Sequence, residues 1–213
     1  MKRYYVIFRI VLFLAFFWGS VVGQQRNPAG QQEKPAGEAN PVVVIKTELG
    51  DIEVELYSRQ APITVKNFLA YIDSGMYKDA TFHRTVRLDN QPRDSVKIVV
   101  IQGSRASGGK RDFPAIELER TNKTGLQHKD GTISMARSGA NSATSSFFIC
   151  IGDQPELDFG GKRNTDGQGF AAFGTVIKGM DIVKKVNQSP VSEQPGSQTL
   201  RPPIKIFEIV RKK

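Results

Sequence analysis

GTISMARSGANSATSSFFICIG, residues 131–152, alternates two kinds of segment whose order decides how the chain is read. Its opening TISMA and closing FFICI are short apolar runs rich in β-branched and aromatic residues, the composition of buried strands. Between them, residues 137–145 are dominated by Ser, Gly, Ala and Asn and read as a polar loop. A polar loop held between two rigid strands is a natural binding rim. Two further fragments belong with it: TFHRTV at 81–86 and IQGS at 101–104. The first sets Arg84 in the middle of a strand-like run, where a guanidinium must reach a cavity or solvent.

Working outward, residues 42–47 and 51–56 are apolar or alternating runs separated by Glu48-Leu49-Gly50, which predicts a β-hairpin. Ala61-Pro62 then starts a helix with proline in its first turn; Val65, Phe68, Leu69 and Ile72 share a face, and Gly75 ends it. Strands are predicted at 81–86, 96–102, 131–136, 146–151, 170–176 and 204–210. A second amphipathic helix runs over 179–187 through Met180, Ile182, Val183 and Val186. Eight short strands, two helices and no βαβ alternation predict a mainly β fold: a closed antiparallel eight-stranded β-barrel capped by two α-helices. There is no internal repeat.

FHR at 82–84, IQG at 101–103, SMAR at 134–137 and SSFFI at 145–149, in that order, resemble the cyclophilin family of peptidyl-prolyl cis-trans isomerases. ELYSRQAPITVKNFLAYIDSGMY upstream and FAAFGTVIKGMDIVKKV downstream are similar to the family's first helix region and last strand and helix. The resemblance covers residues 42–213, implies the same barrel, and leaves no room for a second catalytic domain. It implies isomerisation of X-Pro bonds in proline-containing polypeptides, without a cofactor, by a monomer.

By the same resemblance Arg84 and Gln102 are the catalytic pair, the glutamine holding the arginine and the substrate backbone. Phe148 floors the proline pocket while Phe147 faces the other way. Ala136 and Arg137 lend backbone to the peptide, and Leu157 lines the pocket. Several positions depart from the family pattern. Val99 and Val100 fall where an aromatic and a methionine wall the pocket, Ser146 where a glutamine is usual, Glu156 where Trp or Phe stands, and Phe170 where His or Tyr stands. His83, next to Arg84 on a regular strand, should point away from it as a satisfied core histidine. From Arg84 to Gln102 the family takes about eight positions, so roughly ten residues, within 87–97, are inserted here; their polar composition predicts a loop that either covers the pocket, extends its groove or stands apart as a solvated bulge. These departures keep a second function open beside the enzyme: a chaperone module on the same fold that holds proline peptides and isomerises them slowly.

The first residues carry Lys2, Arg3 and Arg9 before an apolar run at 10–18 and small residues ending at Gly23, the pattern of a cleaved signal peptide over 1–23. The run is shorter than the ~20 residues that span a bilayer, so no membrane span is expected after processing. No cysteine follows it, which argues against a lipoprotein. The protein is therefore expected to be exported to a periplasm or cell envelope. Residues 24–41, rich in Gln, Pro, Gly, Ala and Asn, read as a flexible linker.

The formal charge of +9 falls to +6 without the three basic leader residues. What remains is interspersed with acids and lacks interleaved aromatics, against nucleic-acid binding. Cys150 is the single cysteine, so no intramolecular disulfide exists; its FFICI setting is a buried strand rather than a reactive thiol site. Two histidines and one cysteine supply no pattern for a structural metal site.

Overall fold

The computed structural model describes residues 39–106 and 111–212. The predicted signal peptide and most of the predicted linker lie outside these residues. One compact unit spans Ala39–Lys213.

Its first hairpin pairs β1, Val42–Thr47, with β2, Gly50–Leu56. Helix α1 covers Pro62–Asp73. It is followed by β3 at Ala80–Val86, β4 at Val100–Ser104, a single-turn helix α2 at Thr121–Thr124, β5 at Thr132–Met135 and β6 at Phe147–Cys150. The chain ends with β7 at Ala171–Lys178, α3 at Met180–Gln188 and β8 at Thr199–Arg211. The strands close an antiparallel barrel in the order β1-β2-β7-β5-β6-β4-β3-β8, with β8 returning to β1. Closure leaves no sheet edge open.

Alternation along each strand fills the barrel with one face. Val43, Ile45, Ile52, Val54, Phe82, Ile101, Ile133, Phe147, Ile149 and Phe173 are all fully buried in it. Helix α1 adds Phe68, whose ring lies 5.5 Å from Phe147 and 5.1 Å from Phe173 between centroids. The predicted face of α1 is buried, and Tyr71 joins it. The first backbone N–H groups of α1 have no partner within the helix and are met by the carboxylate of Glu119, which accepts from Ile63 N at 3.1 Å and Thr64 N at 2.7 Å. Helix α3 buries Ile182, Val183 and Val186 and packs against β2, β3 and β4.

Three expectations change. Among the described residues there are three α-helices rather than two, because TNKT has no apolar period to announce one turn. The strand expected over 96–102 begins only at Val100; Gln91, 1% exposed, takes the backbone of Ile98 instead, donating to its carbonyl at 2.8 Å and accepting from its N–H at 3.2 Å. The last strand starts at Thr199, not 204. Its Pro202 and Pro203 fall where the ladder to β3 is interrupted between Ile204 and Thr199, so neither has to donate there.

Candidate active site

On β3, Phe82 pairs with Gly103 and Arg84 with Gln102, so two steps of β3 match one step of β4. His83 is the extra residue of a β-bulge. Without it, residues two apart would share a face. With it, Phe82 points into the barrel and Arg84 points out. A Cβ on Gly103 would lie 3.0 Å from Phe147 and 3.1 Å from Phe82, so the two rings, 5.9 Å apart, close over a backbone that carries no side chain.

From Arg84 a single cross-strand row runs over the outer face: Arg84 opposite Gln102, Gln102 opposite Phe148, Phe148 opposite Ser134, Ser134 opposite Ala172. The neighbouring row is Val86, Val100 and Cys150. Together with Ile98 and Leu157 these make a second apolar cluster, against which Ala136 and Phe170 pack. A cavity of about 320 Å³ opens over it, lined by Arg84, Gln102, Val100, Ala136, Arg137, Phe148, Leu157 and Phe170, and also by Ile98, Asp94, Arg163 and Asn164. Its size falls in the range of small-ligand sites.

Arg84 is held entirely by amides. Its Nη1 donates to Gln102 Oε1 at 2.9 Å, and Nε and Nη2 donate to Gln198 Oε1 at 2.9 and 2.5 Å. Gln198 is fixed in turn: its own NH₂ donates to the carbonyl of Asn90 at 3.1 Å and its carbonyl accepts from Thr85 N at 2.8 Å. Burial lowers the Arg84 pKa, and the Arg163 charge adds to that. A guanidinium so placed is oriented but not neutralised. Gln198 lies 114 positions away on the segment before β8, and nothing in its sequence surroundings marks it.

Within the inserted residues 87–97, Asn90 and Gln91 are buried against the barrel, whereas Leu88, Asp89, Pro92, Arg93, Ser95 and Lys97 stand in solvent. Asn90, 5% exposed, donates to Thr85 O and Ser197 O and accepts from Arg87 N. Asp94 reaches the cavity wall. The loop thus extends the groove and braces the segment that holds Arg84.

Arg137 carries more than backbone. Its side chain is 1% exposed, donates to Gly169 O at 2.7 Å and to both oxygens of Asp166 at 2.7 and 2.9 Å, and lies 5.1 Å over the Phe170 ring. The Arg137 hydrogen bonds pull the Asp166 carboxyl down to about 2. This clamps the loop over 158–169, whose Gly169 sits at φ 64° with room for no Cβ: one would meet Asp158 backbone at 2.5 Å.

Three expected placements differ. Val99 does not line the cavity; alternation turns it from the face shown by Ile98 and Val100. Ser146 lies beside the cavity, its carbonyl accepting from Ala136 N at 2.9 Å. His83 does not point away from Arg84: the bulge leaves it on the outer face, 3.4 Å from Ser104 Oγ. Burial lowers its pKa, with the Arg84 charge acting in the same direction. Cys150 is fully buried, and burial pushes its thiol pKa up, away from reactivity.

Behind the floor lies a buried polar chain that the sequence reading passed over. His128, 1% exposed, has Nδ1 2.7 Å from Asp158 Oδ1 and Nε2 2.9 Å from Ser134 Oγ, and its ring stacks on Phe148 at 5.9 Å. The order resembles a hydrolase triad, but Ser134 is fully buried and cannot meet a substrate. The chain instead ties the loop carrying Leu157 to the strand beneath Phe148. Replacing His128 with Ala should strand Ser134 and Asp158 and open a void behind Phe148, lowering stability by ~2–4 kcal/mol. A urea midpoint equal to the parent's would refute that role.

A family model described as Cyclophilin type peptidyl-prolyl cis-trans isomerase/CLD matches residues 42–210. A protein of Acinetobacter baylyi named peptidyl-prolyl cis-trans isomerase is 36% identical over 173 residues, covering 80% of this chain and 85% of that one. Peptidyl-prolyl cis-trans isomerase A of Dickeya dadantii is 39% identical over 155 residues, 68% of this chain and 70% of its own. Among solved structures, a Cryptosporidium parvum cyclophilin type isomerase in the presence of the dipeptide Ala-Pro superposes with a TM-score of 0.64 at 26% identity, covering 81% of this chain and 99% of that one.

Proposed function

The chain belongs to the cyclophilin-type peptidyl-prolyl cis-trans isomerase family and is a peptidyl-prolyl isomerase; on that premise we propose that Arg84 is its catalytic group, acting on X-Pro bonds of exported polypeptides. The observation that carries this is the guanidinium held by Gln102 and Gln198, aimed over a cavity floored by Phe148.

Rotation about a peptide bond faces a barrier of ~18–20 kcal/mol from amide resonance, and an unaided X-Pro bond takes tens of seconds or more. No bond is made or broken, so the protein has only to hold the ring, let the preceding carbonyl swing, and weaken the C–N double-bond character. As the bond twists, the lone pair localises on the prolyl nitrogen and becomes an acceptor. An Arg84 N–H can donate to it, an interaction present only in the twisted state and therefore one that raises turnover. The proline ring rests on Phe148 with Leu157, Val100 and Phe170 around it. Ala136 offers backbone to the peptide.

Neutral partners suit this step. A carboxylate beside Arg84 would compete for the charge the transition state needs, whereas two glutamine oxygens fix the planar fork and leave it positive. Gln198 is thus a positioning residue, and Asn90 of the insertion sets its orientation.

The protein acts, on this proposal, after export to a periplasm or cell envelope, as a monomer. Support comes from the basic start, the apolar run at 10–18 and the small residues to Gly23. The domain is 42–213, preceded by a linker at 24–41 that gives it reach.

Arg84→Ala should lower kcat on a chromogenic X-Pro tetrapeptide by about a hundredfold or more with the fold intact, and Arg84→Lys should restore little. Parental turnover by the alanine variant would remove Arg84 from the mechanism. Gln198→Ala should lower kcat by about tenfold with KM little changed, and Gln198→Glu, which keeps an acceptor but adds a charge, should not rescue it. A rise in KM alone would show that Gln198 binds substrate instead of aiming the arginine. Mass analysis of the mature protein from the envelope fraction should find Gln24 as its first residue; retention of Met1 there would contradict cleavage.

A further inference from the structure

The cavity wall is strongly biased in charge: Arg84, Arg137 and Arg163 line it against a single acid, Asp94. The three arginines are not equivalent. Arg137 is spent, with both oxygens of Asp166 and the carbonyl of Gly169 on its guanidinium and 1% of its side chain exposed. Arg84 is turned to the prolyl nitrogen by its two amides. Arg163 differs from both.

Among the described residues, the bonds that hold Arg163 leave from Nη1: to Val96 O at 2.7 Å, Gln91 Oε1 at 3.2 Å and Asp94 Oδ2 at 3.2 Å. The fork is thereby fixed by one corner, and its other N–H groups remain available to a second, bidentate partner. The acid that shares it is 40% exposed, so solvent screens that pairing. Arg163 also acts on Arg84, since its charge is one of the causes that lower the Arg84 pKa.

We propose that this site prefers X-Pro bonds flanked by an acidic side chain, with Arg163 as the residue that recognises the carboxylate. A carboxylate fits where a peptide carbonyl does not, because the fork of Arg163 matches two oxygens and its charge a full charge. Asp94, from the inserted loop, competes for the same guanidinium and sets how strong the preference is. The inference rests on the reading of this cavity as the proline site.

The test is a comparison of kcat/KM on tetrapeptides carrying Glu, Ala or Lys immediately before proline, and a second set carrying them immediately after. The Glu-to-Lys ratio is read within each variant, where a general loss of activity cancels. In the parent the ratio should be at least about fivefold in one of the two sets and should shrink at high salt, since the contact is partly exposed. Arg163→Gln should bring it close to one, and Asp94→Asn should enlarge it. A ratio near one in both sets for the parent, a ratio that survives Arg163→Gln, or one unmoved by Asp94→Asn would overturn the proposal. Absence of turnover on every peptide, the Ala ones included, would instead remove the active-site reading itself, and this inference with it.

Discussion

In β3, one residue more than its partner strand can match decides where the chemistry stands. Pairing Phe82 with Gly103 and Arg84 with Gln102 leaves His83 unmatched, and the strand changes face across it. Phe82 completes the barrel interior against Phe147, while Arg84 emerges on the outer surface in line with Gln102 and Phe148. A regular strand would force a choice between burying the arginine in the barrel and exposing the phenylalanine, and either would cost several kcal/mol. Gly103 makes the bulge possible because the two rings occupy the space its side chain would need.

The outer face is then built to hold a charge that stays a charge. Arg84 is deeply set and, among the described residues, makes no ion pair, although the Asp94 charge acts on it from a distance; its hydrogen bonds go to two glutamine oxygens. Burial without a counter-ion works against a guanidinium, and three charge-assisted hydrogen bonds offset that. The support extends outward through Asn90 and Gln91, which pack the inserted residues against the barrel, and through Arg137 and His128, which tie the loop over 158–169 to the floor. A rigid second layer of this kind keeps the guanidinium within the small error that a transition-state contact tolerates.

The insertion and the 158–169 loop meet at Asp94 and Arg163. Both segments lie on the same side of the cavity, so variation in either alters the wall that a flanking substrate residue meets without touching Arg84 or Phe148. On the proposals made above, mechanism is carried by strands and selectivity by loops, which is where each can change independently.

Eight strands and the apolar faces of the first and last helices are legible in the sequence because their period is local; the family resemblance of short motifs pointed to Arg84, Gln102, Phe148, Ala136, Leu157 and Phe170, which the fold brings to one cavity. The resemblance places the pocket wall at Val99 and Val100, counted back from Gln102, whereas the cavity takes Ile98 and Val100, because the amide of Gln91 fixes the Ile98 backbone. His83 was turned the wrong way because a bulge is a property of two strands and leaves no mark on one. Gln198, Arg163 and the Ser134–His128–Asp158 chain were invisible for the same reason, since each depends on partners brought together only by barrel closure and loop packing. The sequence by itself determined the architecture, since hydrophobic period is carried one position at a time, and its motifs, through the family they resemble, pointed to the guanidinium proposed to act. Tertiary structure alone decided what holds that group, which face it shows and what charge surrounds it, because orientation and electrostatics are set by atoms distant in the chain and close in space.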